Sequence, residues 1–228
     1  MADTVFPVAT LDDALPHLRR PFAPAAVRWK IQTATNNNRA GIVVAHIDAR
    51  LVIERLNLVV GWSWCDQYDQ FAGAMRCKLA LFGQVREDVG LGSDPKAQVS
   101  DALKRAGVKF GIGVSIYALA QVYMDVGGGP NKLGTRKKYD RQEKEWIEVP
   151  DLRLENRGWL ADKYEAWLDT PRGKGFGEPL EHGDELDAQG MDDEGAPTEL
   201  PPVEASSPEA EAEREAALQE TRAKAKGS

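Results

Sequence analysis

Residues 97–119 read AQVSDALKRAGVKFGIGVSIYAL, and this run limits the fold more than any other. At about 100° per residue, Val99, Ala102, Leu103, Ala106 and Phe110 share one face, an apolar stripe that needs a packed surface opposite it. Cations take another side. Arg105 and Lys109, four apart, are neighbours on a helix surface, with Lys104 on the adjoining flank and Asp101 within reach to offset them. Gly111 and Gly113 mark the helix end or a close backbone approach. Periodicity alone leaves two readings of the cationic side, a solvated face or a binding face.

The segments before it alternate at the period of strands. Thr10 caps a short helix over Leu11 to Leu18, which Arg19-Arg20-Pro21 stops. Val27, Trp29 and Ile31 alternate with Arg28 and Lys30, and a polar run from Thr33 to Gly41 turns the chain into a second strand, Ile42 to Ile47. Asp48 caps a helix whose apolar positions are Leu51, Val52, Leu56, Val59 and Val60, and Gly61 ends it. A meander follows, from Trp62 to Tyr68, from Met75 to Leu81 and from Val85 to Val89, with Arg76 and Lys78 on one sheet face. Ser93-Asp94-Pro95 then supplies helix-start chemistry. Strands, helix, strands, helix is an α+β order, with antiparallel strands packed on a central helix.

Past Leu119 a strand is predicted within Gln121–Val126, broken by Gly127-Gly128-Gly129-Pro130. Lys132, Arg136, Lys137, Lys138, Arg141 and Lys144 then read as a flexible basic loop, and Gly158 to Leu168 as a short amphipathic helix. From about Gly173 aromatic residues almost vanish, and the composition predicts disorder. Three parts result: a core at 1–125, a basic loop with a short helical extension at 126–178, and an acidic tail at 179–228.

Net charge has to be read part by part. From Pro179 onward there are 14 acidic and 4 basic residues, which leaves 22 acidic and 25 basic residues in the rest, so the total of −7 conceals a mildly basic body. That asymmetry is compatible with a nucleic-acid partner. Catalytic chemistry finds little support. His17, His46 and His182 have no metal-ligand spacing, Cys65 and Cys77 form no CxxC pair, and Gly111-Ile112-Gly113 lacks the Lys-Ser/Thr of a phosphate loop. Glu87 and Asp88 followed by Asp94-Pro95-Lys96 make at best a displaced version of a nuclease pattern. No membrane-spanning run or signal segment is evident, so a cytoplasmic, nucleoid-associated location in a bacterial or phage-infected cell is expected. Cations on a helix, a strand and a loop can follow a phosphate backbone, and Trp62, Trp64 and Tyr68 offer stacking surfaces, although tryptophans are more often core residues.

Arg86-Glu87-Asp88-Val89-Gly90-Leu91-Gly92, followed by Val99-Ser100-Asp101-Ala102-Leu103-Lys104-Arg105-Ala106 and Phe110-Gly111, resembles the signature of the Rad fifty-two superfamily of single-strand annealing proteins. The likeness is nearest to its bacterial DdrA-like and phage recombinase branch and extends over roughly Leu18 to Leu119. It implies a β-β-β-α core, ring-forming oligomers and a basic groove for single-stranded DNA, with annealing that needs neither ATP nor any cofactor. By the same resemblance Lys104 and Arg105 face the groove. A further family cation falls near Lys109, with Val108 in its register; a DNA-proximal aromatic falls at His46, and a hairpin cation at Arg39. Arg76 and Lys78 complete the expected DNA-binding set. Expected partners are single-stranded DNA, further copies of the chain in a ring or filament, and a single-strand-binding protein or cognate exonuclease. An alternative keeps the fold but protects DNA ends or recruits partners without annealing.

Overall fold

A computed structural model describes residues 6–180 apart from Ser93 and Arg141. These residues belong to the first of two units, which divide at Ala188 and Gln189. Helix α1 (Leu11–Leu18) is capped by Thr10, whose hydroxyl accepts the Asp13 amide at 3.2 Å. Strands β1 (Arg28–Thr35) and β2 (Ala40–His46) pair antiparallel through a turn in which Asn36, Asn37 and Asn38 all have positive φ, a region asparagine tolerates better than most residues. Helix α2 (Ala49–Val60) begins at Asp48, which accepts the Arg50 amide, and ends at Gly61.

The expected meander is present as β3 (Trp64–Phe71), β4 (Ala74–Leu81) and β5 (Gln84–Gly90), an antiparallel sheet in the order β3-β4-β5. Its two connections, Ala72-Gly73 and Phe82-Gly83, hold both residues at positive φ, the conformation that suits two-residue hairpins. Helix α3 (Pro95–Val108) starts at Asp94, which accepts the Ala97 amide, and lies across β4 and β5. Ala102, Leu103 and Ala106 are buried there against Cys77, Leu79 and Leu81. Gly90 is what allows so close an approach, because a Cβ at that position would overlap the Gln98 carbonyl oxygen. The β-β-β-α order is thus realised by β3, β4, β5 and α3. The apolar stripe runs just past the helix, since Phe110, two residues beyond its end, is buried.

After α4 (Val114–Ala118) the chain returns to the first sheet. Strand β6 (Val122–Asp125) pairs antiparallel with β2, giving the order β1-β2-β6. The residues expected to form a flexible basic loop instead form a hairpin, β7 (Gly134–Asp140) with β8 (Glu145–Asp151). Its strands complement each other in charge. Lys137 lies opposite Glu148, and Arg136 reaches Asp151 at 3.5 Å, so the basic strand is largely matched by its acidic neighbour. Helix α5 (Leu154–Leu168) is longer than expected and is fixed by two buried side chains. Asn156 donates to the carbonyls of Pro130 and Lys132, and the Tyr164 hydroxyl donates to the Phe22 carbonyl.

Order also continues past Gly173, contrary to the composition. A short helix α6 (Pro171–Lys174) is followed by Phe176, whose ring lies 6.0 Å from that of Trp167 and under the Arg19 guanidinium. The Leu180 amide donates to the Pro21 carbonyl, and its side chain is buried. These few apolar contacts outweigh a polar composition. The rest of the expected acidic tail lies outside the described residues.

Candidate nucleic-acid interface

Residues of β4 alternate between two environments, and this divides the expected site. Cys77, Leu79 and Leu81 are buried beneath α3, so Arg76 and Lys78 stand on the opposite sheet face. There they share one carboxylate. Arg76 makes two hydrogen bonds to Asp69, each 2.8 Å, and Lys78 reaches the same group at 2.9 Å. These contacts hold the Asp69 carboxyl far below the usual carboxylate range. Arg76 also covers the Phe71 ring and approaches Glu87 at 3.6 Å. The pair is therefore bound up in an ionic and aromatic cluster, separated by the sheet from the α3 cations.

Asp88 points the other way, because it lies opposite Cys77 in the register. Its Oδ1 is 3.3 Å from Arg105 Nε and its Oδ2 is 3.1 Å from Lys109 Nζ, while Oδ1 also accepts the Val89 amide at 2.8 Å. Burial acts to raise the Asp88 carboxyl, but the Lys109 and Val89 hydrogen bonds and the two positive charges outweigh it and hold the group below its ordinary value. Lys109 also donates to the Glu87 carbonyl. Arg105 and Lys109 thus meet at one point on β5. Lys104 is half-buried and, one residue earlier, projects about 100° away around the helix. Asp101, expected to offset these cations, uses its carboxylate to accept the Leu91 amide at 3.0 Å.

Other residues join this face that sequence reasoning passed over. Arg86 shares the Asp88 side of β5 and lies over the Phe110 ring. Tyr117 on α4 is 67% exposed, which leaves its ring available to a ligand. Desolvation raises its pKa, the charges of Asp101 and Asp88 add to the rise, and those of Arg105 and Lys30 oppose it, so this phenol is within electrostatic range of two cations and two carboxylates. Lys30 could have been found, since the alternation that buries Trp29 places Arg28 and Lys30 on the outward face. Tyr117 had no such signal.

His46 ends β2 opposite Arg28, and Arg39 is exposed at the β1–β2 turn. Of the three aromatics offered for stacking, Trp62 is fully exposed, Trp64 donates its indole N–H to Asn57, and the Tyr68 hydroxyl donates to Asp66. The acids of the nuclease pattern are dispersed: Asp88 faces α3, Glu87 lies on the other sheet face, and Asp94 caps the helix. Among the described residues no three His, Cys, Asp or Glu side chains are grouped to hold a metal ion, and no helix is long and apolar enough to cross a membrane. What this face offers is a pair of half-exposed cations held on Asp88, with an exposed aromatic ring in electrostatic range of one of them, features that a flexible polyanion with stacking groups can use.

Comparison with known proteins found two relatives. Single-stranded DNA-binding protein DdrA of Deinococcus radiodurans is 31% identical over 147 residues, covering 59% of this chain and 71% of the relative. The protein of the same description from Deinococcus deserti is 35% identical over 123 residues, 50% of this chain, and there the chain spans only 61% of the relative's length. No family model matches the chain, and no solved structure does.

Proposed function

The chain belongs to the family of the single-stranded DNA-binding protein DdrA, and on that premise we propose that it binds single-stranded DNA along the β5–α3–α4 face and anneals complementary strands. The observation that carries the proposal is the meeting of Arg105 and Lys109 at Asp88, with Arg86 on the same side of β5 and the exposed Tyr117 ring in electrostatic range of Arg105 and Lys30. Cations spaced along a face replace the counterions of a phosphate chain, and releasing those counterions drives binding whatever the base sequence. A ring such as that of Tyr117 stacks a base without reading its edge. Bases held by their backbone keep their pairing edges open, and neutralised phosphates lower the repulsion that a second strand meets. Pairing then proceeds with no bond made or broken in the protein and no nucleotide consumed. Assembly into a ring or filament, placement in the Rad fifty-two superfamily and a cytoplasmic site of action belong to the same proposal.

The test replaces Lys104 and Arg105 together by alanine in the full chain. Single-strand affinity should fall equally for all base sequences, and the log–log salt slope should lose about 1.4, from two contacts at about 0.7 each. In a fluorescence assay with two complementary oligonucleotides, the unaltered protein should accelerate pairing and the folded double variant should not. Binding by the folded variant at the unaltered strength would refute the assignment. Tight binding by the parent protein without faster pairing would favour the protecting or recruiting scaffold.

A further inference from the structure

We propose that Asp88 is an internal rival of the DNA phosphate: in the free protein its carboxylate occupies the seat between Arg105 and Lys109 that a phosphate takes on binding, and so sets the affinity for single strands. The inference rests on the reading of this face as DNA-binding. Its basis is geometric. One carboxylate oxygen faces the Arg105 Nε at 3.3 Å and the other faces the Lys109 Nζ at 3.1 Å, an arrangement a phosphate with two free oxygens reproduces. The Asp88 side chain is only 18% exposed, whereas Arg105 and Lys109 are 40% and 44% exposed, so the carboxylate lies beneath and the cations reach the surface. Arg105 meets Asp88 through Nε, and a guanidinium has further N–H donors in its planar fork. An incoming phosphate therefore engages cations that are already aligned but half-neutralised. Loss of the Asp88 charge leaves the pair intact and unopposed.

Other charges in range do not duplicate this role. Asp101 is committed to the Leu91 amide, and the Glu87 side chain faces Arg76 across the sheet, so only its backbone carbonyl meets Lys109. Lys30 and Arg105 both act on Tyr117 from the positive side.

The experiment measures binding of the full chain to an oligothymidine strand over a range of salt concentrations. Asp88→Asn removes the charge while its amide oxygen can still accept the Val89 N–H. The dissociation constant should fall about threefold to tenfold at low salt, a gain that shrinks as salt is raised, and the log–log slope should steepen by up to about 0.7. Asp88→Thr, with a hydroxyl acceptor on a strand-compatible side chain, is read in its place if the asparagine variant melts early. Glu87→Gln, the same change of charge on the opposite sheet face, should alter affinity less. Unchanged or weaker binding by a folded Asp88 variant, or an equal gain from Glu87→Gln, overturns the proposal. Failure of both Asp88 variants to fold also overturns it, by making the residue structural. If the parent protein does not bind the strand at all, it is the DNA-binding reading that fails.

Discussion

Arg55 heads the fully buried side chains by size, and it lies inside the apolar stripe of α2, four residues after Leu51 and three after Val52. Its guanidinium donates to the carbonyls of His17, Leu18, Arg20, Pro21 and Leu180, and it lies 4.2 Å from the centre of the Phe22 ring. Burial lowers its pKa to about 9, with repulsion from Arg20 adding to the effect, which still leaves a cation at neutral pH. Backbone dipoles and an aromatic face take the place of water around the charge. Replacing Arg55 by leucine should cost about 3 kcal/mol or more, because several buried carbonyls lose their donor together. Thermal unfolding of the variant checks this: a melting temperature equal to the parent's would mean that the carbonyls are satisfied otherwise. A charge within an apolar stripe was visible in the sequence. Its acceptors were not, since they come from residues as far off as Leu180.

At the scale of elements, legibility followed the distance between partners. Both helices with an Asp cap, the β1–β2 hairpin and the β3-β4-β5 meander could be read from local alternation and turn chemistry, because each finds its partner next door in sequence. The pairing of β6 with β2 could not, since nothing local specifies a return across eighty residues. Strand β7 was missed for another reason: Arg136-Lys137-Lys138 shows no alternation, and only the opposed Glu148 and Asp151 make a strand of it. The α3 cations were legible in part. Lys104, Arg105 and Lys109 stood out by charge, but Asp88 gave no hint that it meets Arg105 and Lys109. The close packing of α3 on β5 makes a prediction at this scale. Gly90→Ala would drive a methyl group against Gln98 and the Ala102 amide, and overpacking of this kind should cost about 2 kcal/mol and lift α3 away from Asp88. The melting temperature of the variant should therefore fall, whereas an unchanged melting temperature would show that the helix shifts freely.

Across the whole molecule two opposed charges share one chain, a body slightly in excess of base and a segment after Leu180 with 14 acidic and 4 basic residues. A polyanion on the same chain lowers the field that steers DNA towards the cations. Ending the chain after Leu180 should leave the melting temperature unchanged and tighten single-strand binding most at low salt. Ending it after Gly177 removes Glu178, Pro179 and Leu180 as well, and with them the bonds from Arg20 and Arg55 and the Leu180–Pro21 contact, so that protein should melt earlier. Equal melting of the two shortened proteins would remove Leu180 from any part in stability. The Arg55 carbonyl shell also has a bearing on synthesis. It draws on residues 17–21 and on residue 180, so the nascent body stays one acceptor short until Leu180 has left the ribosome.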